Sequence, residues 1–176
     1  MWFLKKKMER NMKVSFEIKL KAKDIFGFNI YQSYRGMQGI ISIILPILLI
    51  VMAVVGVGNV SIENIILYIV LAVVCAVYIP VTLWLRAQKS MKVNESLAKP
   101  LRYEFSEELI RVSQEDAQEE FQWDIIYKMV ANKKRVLIYT NRINAFIIPR
   151  EQLGDKYEDL AKLANACLEK YRVNMK

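Results

Sequence analysis

Histidine is absent from all 176 residues of this chain. Its absence removes the commonest general base at neutral pH and the commonest zinc ligand. Cysteine is scarce. Cys75 falls in an apolar stretch and Cys167 in a predicted C-terminal helix, two environments that keep them from pairing. Both read as packing residues. Carboxylates are present, but no EF-hand spacing or other coordination pattern accompanies them. No nucleophile, base or metal set can be assembled. The expectation is a protein that is not an enzyme and uses no cofactor and no metal. Charge is missing too: Met37–Val57 and Ile65–Leu85 carry no charged side chain, and the link Gly58–Asn64 has no Lys or Arg and a single acid, Glu63.

What is present then follows from those two apolar runs. Each is long enough for a helix to cross a hydrocarbon core of roughly 30 Å. The link is too short for a domain, so the reading is a transmembrane hairpin. Lys5, Lys6, Lys7, Arg10, Lys13, Lys19, Lys21, Lys23 and Arg35 precede it, and Arg86, Lys89, Lys92, Lys99 and Arg102 follow it. Cytoplasmic flanks retain Lys and Arg during insertion, which predicts both termini in the cytoplasm; the expected location is the inner membrane. Tyr31 and Tyr34 before the first run and Trp84 at the end of the second fit the aromatic belts of the two interfaces. In Met1–Met8 the apolar residues come before the lysines and are few, the reverse of a signal peptide, so this segment reads as a basic interfacial tail.

On either side of the hairpin the pattern changes period. Val14, Phe16, Ile18 and Leu20 alternate with polar residues, which predicts a strand with one buried face. A short helix beginning near Asp24 should follow it. The second membrane helix should continue into polar sequence and stop before Pro100. Short strands are then expected at Arg102–Phe105, Leu109–Ser113, Glu119–Trp123, Ile125–Ala131, Arg135–Tyr139 and Ala145–Ile148, with turn residues between them. Asp155 and Glu158 have the spacing of a capping box. Tyr157, Leu160, Ala161, Ala164, Cys167, Leu168 and Tyr171 form the apolar side of the helix behind it. The predicted organisation is an N-terminal segment at 1–36, a hairpin at 37–85 and a cytoplasmic α+β domain at 86–176. Its expected fold is an antiparallel, pleckstrin-homology-like barrel closed by the C-terminal helix, with one strand lent by the N-terminal segment; the alternative is a sheet of the post-membrane strands alone, with Val14–Leu20 used in a partner chain.

This order of parts is similar to that of the bacterial YcxB-like family. The resemblance lies in the N-terminal strand, the hairpin and three motifs: Tyr103-Glu104-Phe105-Ser106-Glu107-Glu108, Phe121-Gln122-Trp123-Asp124-Ile125 and Ile147-Ile148-Pro149-Arg150. The motifs are structural: a turn, a strand end and a strand-to-proline exit. The resemblance implies the membrane topology and a pleckstrin-homology-like domain. It brings no catalytic residue.

Some positions are candidates for chemistry. Lys133, Lys134 and Arg135 form a basic loop, with Arg142 and Arg150 in neighbouring turns, and such loops at a barrel mouth are candidates for anionic-lipid contact. The plainer reading is a positive surface drawn to the inner leaflet without choosing a lipid. Trp123 and Asp124 read as a core residue and a turn cap before they read as a binding pair. Acidic clusters at Glu104–Glu108 and Glu115–Glu120 read as solvated faces. Pro46 and Pro80 read as kinks, since no ionisable residue accompanies them. Ala72 and Ala76 have small-xxx-small spacing for close helix packing. The expected partners are the membrane and a protein partner or a second copy. Nucleic acid is not expected, because the excess positive charge sits beside the spans. The expected role is binding at the membrane, in one version immunity or envelope-stress protection. The alternative is a subunit of a small oligomeric channel or transporter.

Overall fold

The structure, a computed structural model, describes residues 12–175; the tail expected at Met1–Met8 lies outside them. The chain forms two compact units. One is Ala22–Val93; the other, among the described residues, combines the chain before Ala22 with the chain from Asn94 onward.

The first unit is helical. Helix α1 spans Ala22–Ser33, α2 Met37–Val55 and α3 Ile62–Val93. Gly39 sits where the turn after α1 folds back: a Cβ there would stand 2.4 Å from the Ser33 carbonyl oxygen and 2.5 Å from the Tyr34 Cα. Phe26 of α1 meets Trp84 of α3 edge-on at 5.3 Å. The residues of α2 buried in the unit are Gly39, Pro46 and Ala53, seven residues apart. Ala72 and Ala87 are buried on α3. Small residues at this spacing let two backbones approach closely. Of the Ala72–Ala76 pair, Ala72 is buried and Ala76 is exposed, so the two do not form one packed ridge. Both helices run unbroken through Pro46 and Pro80.

The large apolar side chains point the other way. Ile41, Leu48 and Val73 are each more than half exposed, and so are many of their neighbours on α2 and α3. By length and composition both helices are able to cross a membrane. At about 1.5 Å per residue, α3 is longer than a hydrocarbon core is thick, which leaves its polar end beyond the apolar stretch.

The second unit is α+β. Strand β1 (Val14–Ile18) buries Val14, Phe16 and Ile18 and exposes Ser15 and Glu17. After a short helix α4 (Glu95–Ala98) come β2 (Leu101–Phe105), β3 (Ile110–Gln114) and β4 (Ala117–Phe121). These form one antiparallel sheet in the order β1-β2-β3-β4, with Val14 opposite Phe105 and Ile18 opposite Leu101. A 3₁₀ turn, Trp123–Ile125, leads to β5 (Lys128–Ala131), β6 (Arg135–Tyr139) and β7 (Ala145–Pro149). Helices α5 (Arg150–Leu153) and α6 (Lys156–Cys167) follow, then a 3₁₀ turn at Lys170–Arg172 and β8 (Val173–Asn174). The second sheet has the order β7-β6-β5-β8.

The structure departs from the sequence reading in three places. No closed barrel is found among the described residues: the strands divide into two sheets with no ladder between them. The 3₁₀ turn takes up the stretch where β4 would have had to continue into β5. Trp123 lies in that turn, and the strand expected to end at Trp123 ends at Phe121. The capping box at Asp155 also does not form. Gly154, at φ +52°, delivers the chain to Asp155 already in helical geometry, and the carboxylate makes no cap bond.

Aromatic rings fill the space between the sheets. Phe16 stacks on Tyr103 and Phe105, Tyr103 meets Phe146 edge-on, and Phe121 also touches Phe146. Burial pushes the Tyr103 phenol well above its ordinary range. Helix α6 adds Tyr157, Leu160, Leu163 and Ala164 to this core. The outer edge of β1 is closed by side chains. Lys156 Nζ donates to the Ser15 carbonyl at 2.6 Å, and the Gln152 amide both accepts from and donates to the Lys19 backbone. Covering an edge in this way removes a template for stray strand pairing.

Candidate functional site

The β5–β6 connection is a tight turn made by Asn132. Its Oδ1 accepts the backbone N–H groups of Lys134 and Arg135, both at 2.9 Å, and its own N–H donates to the Arg135 carbonyl at 2.9 Å. The turn holds Lys133 and Lys134 in solvent. Arg135 is half-buried at the start of β6.

Arg150 joins this end of the sheet because β7 returns antiparallel to β6, pairing Pro149 with Arg135. Its N–H donates to the Lys134 carbonyl at 2.9 Å, and its guanidinium lies 3.8 Å over the Tyr157 ring. Helix α5 then bonds Lys19 through Gln152. The basic turn, α5 and the end of β1 are thus tied together at the end of the unit from which the chain departs after Lys21.

Arg142 does not belong to this group. It sits in the β6–β7 turn, which is closed by Asn141 Oδ1 accepting from Ile143 and Asn144. That turn is the length of β6 away from Lys133, on the order of 15 Å at ~3.3 Å per residue. Neighbouring turns in sequence lie at opposite ends of a meander.

Trp123 is 7% exposed, and its Nε1 donates to the Ser106 carbonyl at 2.8 Å. Its ring packs against Phe105. Asp124 is exposed, and its backbone carbonyl accepts from Arg172 at 3.4 Å.

Three of the seven acids in the two acidic clusters, Glu104, Glu115 and Glu120, pair with basic neighbours. Arg111 contacts Glu120 at 2.6 Å and Glu104 at 3.6 Å, Arg102 contacts Glu104 at 3.0 Å, and Lys99 contacts Glu115 at 3.0 Å. Glu120, then Glu104, hold the Arg111 guanidinium in its charged form. Lys13, Glu104, Glu107, Glu108 and Arg111 help to line a cleft of about 430 Å³ beside the β2–β3 turn. Within this lining Arg111 pairs with Glu104. Among the described residues no three His, Cys, Asp or Glu side chains gather as a metal site would need. Burial, with Glu107 nearby, raises the Cys167 thiol above its usual range, which lowers its nucleophilicity at neutral pH.

Sequence reasoning missed one structural arginine. Arg172 donates to the carbonyls of Asp124, Ile126 and Tyr127, binding the residues before β8 to the start of β5. No periodic signal marks so short an element.

No curated protein and no solved structure matches the chain. The segment from the end of β2 into α6, residues 105–164, matches the model of the YcxB-like protein family, so two of the three motifs that carry the resemblance, and the end of the third, fall inside a region of demonstrated similarity to that family.

Proposed function

We propose that this protein is a membrane-anchored binding module. Helices α2 and α3 cross the bacterial inner membrane as a hairpin, and both ends of the chain remain in the cytoplasm. The sheet unit is a pleckstrin-homology-like domain that binds and does not catalyse. Its basic turn, Lys133 and Lys134 with Arg135 and Arg150 beside it, meets anionic headgroups. The rest of the domain is left for a protein partner.

One observation carries this reading. Strand β1, which precedes the apolar helices, is laddered to β2, which follows them. Two strands of one sheet must lie on the same side of a membrane, so the helices between them make an even number of crossings. The Lys- and Arg-rich flanks favour the cytoplasmic side. The pleckstrin-homology-like assignment is supported by a four-strand meander, a three-strand meander and a following helix, in that order. The headgroup contact is supported by the clustering of the basic turn with the end of β1, a few residues from the start of the helical unit.

The test uses the full chain in nanodiscs, with Cys75→Ala, Cys167→Ala and a dye on Glu151→Cys of helix α5. Headgroup-labelled quenchers should reduce the dye's emission more in phosphatidylserine discs than in phosphatidylcholine discs. Added salt and Lys133→Glu with Lys134→Glu should abolish the difference, since each basic contact is worth about 1 kcal/mol near an anionic surface. Equal quenching in both lipids would refute headgroup contact. Saturable ion flux from reconstituted protein would select the channel alternative.

A further inference from the structure

The outer edge of β5 is covered by less backbone than any other laddered edge in the two sheets. β8 pairs with it at Met129 and Val130 alone, and in parallel. The other ladders are antiparallel and run four or five residues. Parallel pairing is slightly weaker per residue. Side chains add little to it: Val173 is half-buried, Asn174 is exposed and Tyr171 is 83% exposed. The firm anchor lies just before β8, where Arg172 binds three carbonyls ahead of β5. Residues 173–174 can therefore leave the edge while Arg172 stays in place.

The surroundings of this edge differ from those of the β1 and β4 edges of the first sheet. The β1 edge is closed by Lys156 and Gln152. The β4 edge exposes Glu119 and Glu120, and charged side chains on an edge strand discourage strand addition. Beside β5, Ile125 and Tyr127 are each more than two-fifths exposed. Lys128 opens the strand, its ammonium over the rings of Tyr127 and Tyr139, and Lys133 and Lys134 follow its end. Lys128, Lys133 and Lys134 are the basic residues of β5 and of the turn after it, and no acid lies between Lys128 and Lys134.

We propose that the β5 edge is a strand-addition site for an extended, acidic segment of a partner protein. The segment replaces residues 173–174, pairs with β5 from Met129 towards Ala131 and rests on Ile125 and Tyr127. Main-chain bonds supply the affinity, and the basic and apolar neighbours supply the selection. This inference rests on the reading of the domain as a binding module and names where and what it binds.

The experiment measures fluorescence anisotropy of a labelled Val-Glu-Val-Glu-Val-Glu peptide, with Val-Lys-Val-Lys-Val-Lys as control. The protein is the full chain in phosphatidylcholine nanodiscs, so no anionic lipid takes part. A chain ending at Arg172 should bind the acidic peptide at least ten-fold more tightly than the full chain and should not bind the basic one. Asn174→Pro in the full chain should give the same direction of change, and it carries the test if the shortened chain fails to fold. Lys128→Glu should weaken binding several-fold, and bound peptide should slow amide exchange across β5. Equal affinity with and without residues 173–176, equal affinity for both peptides, or no binding by either variant would overturn the proposal. Because Lys133 and Lys134 are untouched and the lipid is neutral, these failures would leave the headgroup reading standing, and failure of headgroup contact would leave this one standing.

Discussion

In the helical unit the small residues Gly39, Pro46, Ala53 and Ala72 are buried while Ile, Leu and Val face outward; in the sheet unit Phe, Tyr, Trp, Ile and Leu are buried while Glu and Lys face outward. The same chain thus follows opposite rules in its two halves. Burying large apolar groups is favourable only when the alternative is water. A helix pair that keeps its large apolar groups outside and packs through glycine and alanine is arranged for lipid, where close backbone packing holds helices together. The sheet unit shows a second contrast. Residues 101–121 carry seven acids and two basic residues; residues 122–150 carry one acid and six basic residues. The first sheet balances part of its charge through Arg102 and Arg111. The second leaves Lys133 and Lys134 in solvent, and both proposed contacts lie on that sheet.

Substitutions of the same general kind should therefore behave differently in the two units. The largest effect is expected at Trp123, buried with its indole N–H bonded to Ser106. Trp123→Ala should destabilise the sheet unit by about 3–5 kcal/mol, the range for large-to-small aromatic changes, read from denaturant unfolding. A loss of less than about 1 kcal/mol would make the sheet unit's core rule wrong at its most prominent residue.

Next comes Leu48→Arg on the outward side of α2, where Leu48 is 53% exposed. If that side faces lipid, the change should cost about 2.5–3.5 kcal/mol in membrane insertion, measured with a glycosylation-reporter assay. If it faced water, the variant would insert no worse and would be more soluble. The smallest effect is expected at Arg111, an exposed residue among Glu104 and Glu120. Arg111→Gln should leave the melting temperature of the full chain nearly unchanged, since exposed ion pairs gain little over water. A large drop would mean that the acidic sheet depends on this cluster for its fold.

Much of this fold is legible in the chain because its periods are clean. Alternation at Val14–Ile18 and the uncharged runs on either side of Gly58–Asn64 state their structures directly. The strands of the second sheet are bracketed by Asn-rich turns whose side chains do bond the backbone, as at Asn132 and Asn141. Other features carry no local signal. Closure of a sheet into a barrel depends on how distant edges meet, and the apolar stretch after Phe121 reads as strand although its first residues form a 3₁₀ turn. The heptad of small residues at Gly39, Pro46 and Ala53 is visible once a partner helix is known, but it is diluted among larger residues. Grouping Arg142 with Lys133 failed because sequence neighbours across a five-residue strand are spatial opposites. The basic turn itself was legible; its link to Lys19 through Gln152 joins residues 133 positions apart and was not.

The central claim is that one sheet is built from chain on both sides of a membrane hairpin. Impermeant thiol labelling of intact cells tests it most directly. In a background with Cys75→Ala and Cys167→Ala, Asn59→Cys in the link between α2 and α3 should label from outside. Lys13→Cys before β1 and Lys162→Cys on α6 should both label only after the membrane is opened. Labelling of Lys13→Cys and Lys162→Cys from opposite sides, or of both from outside with Asn59→Cys protected, would contradict the account.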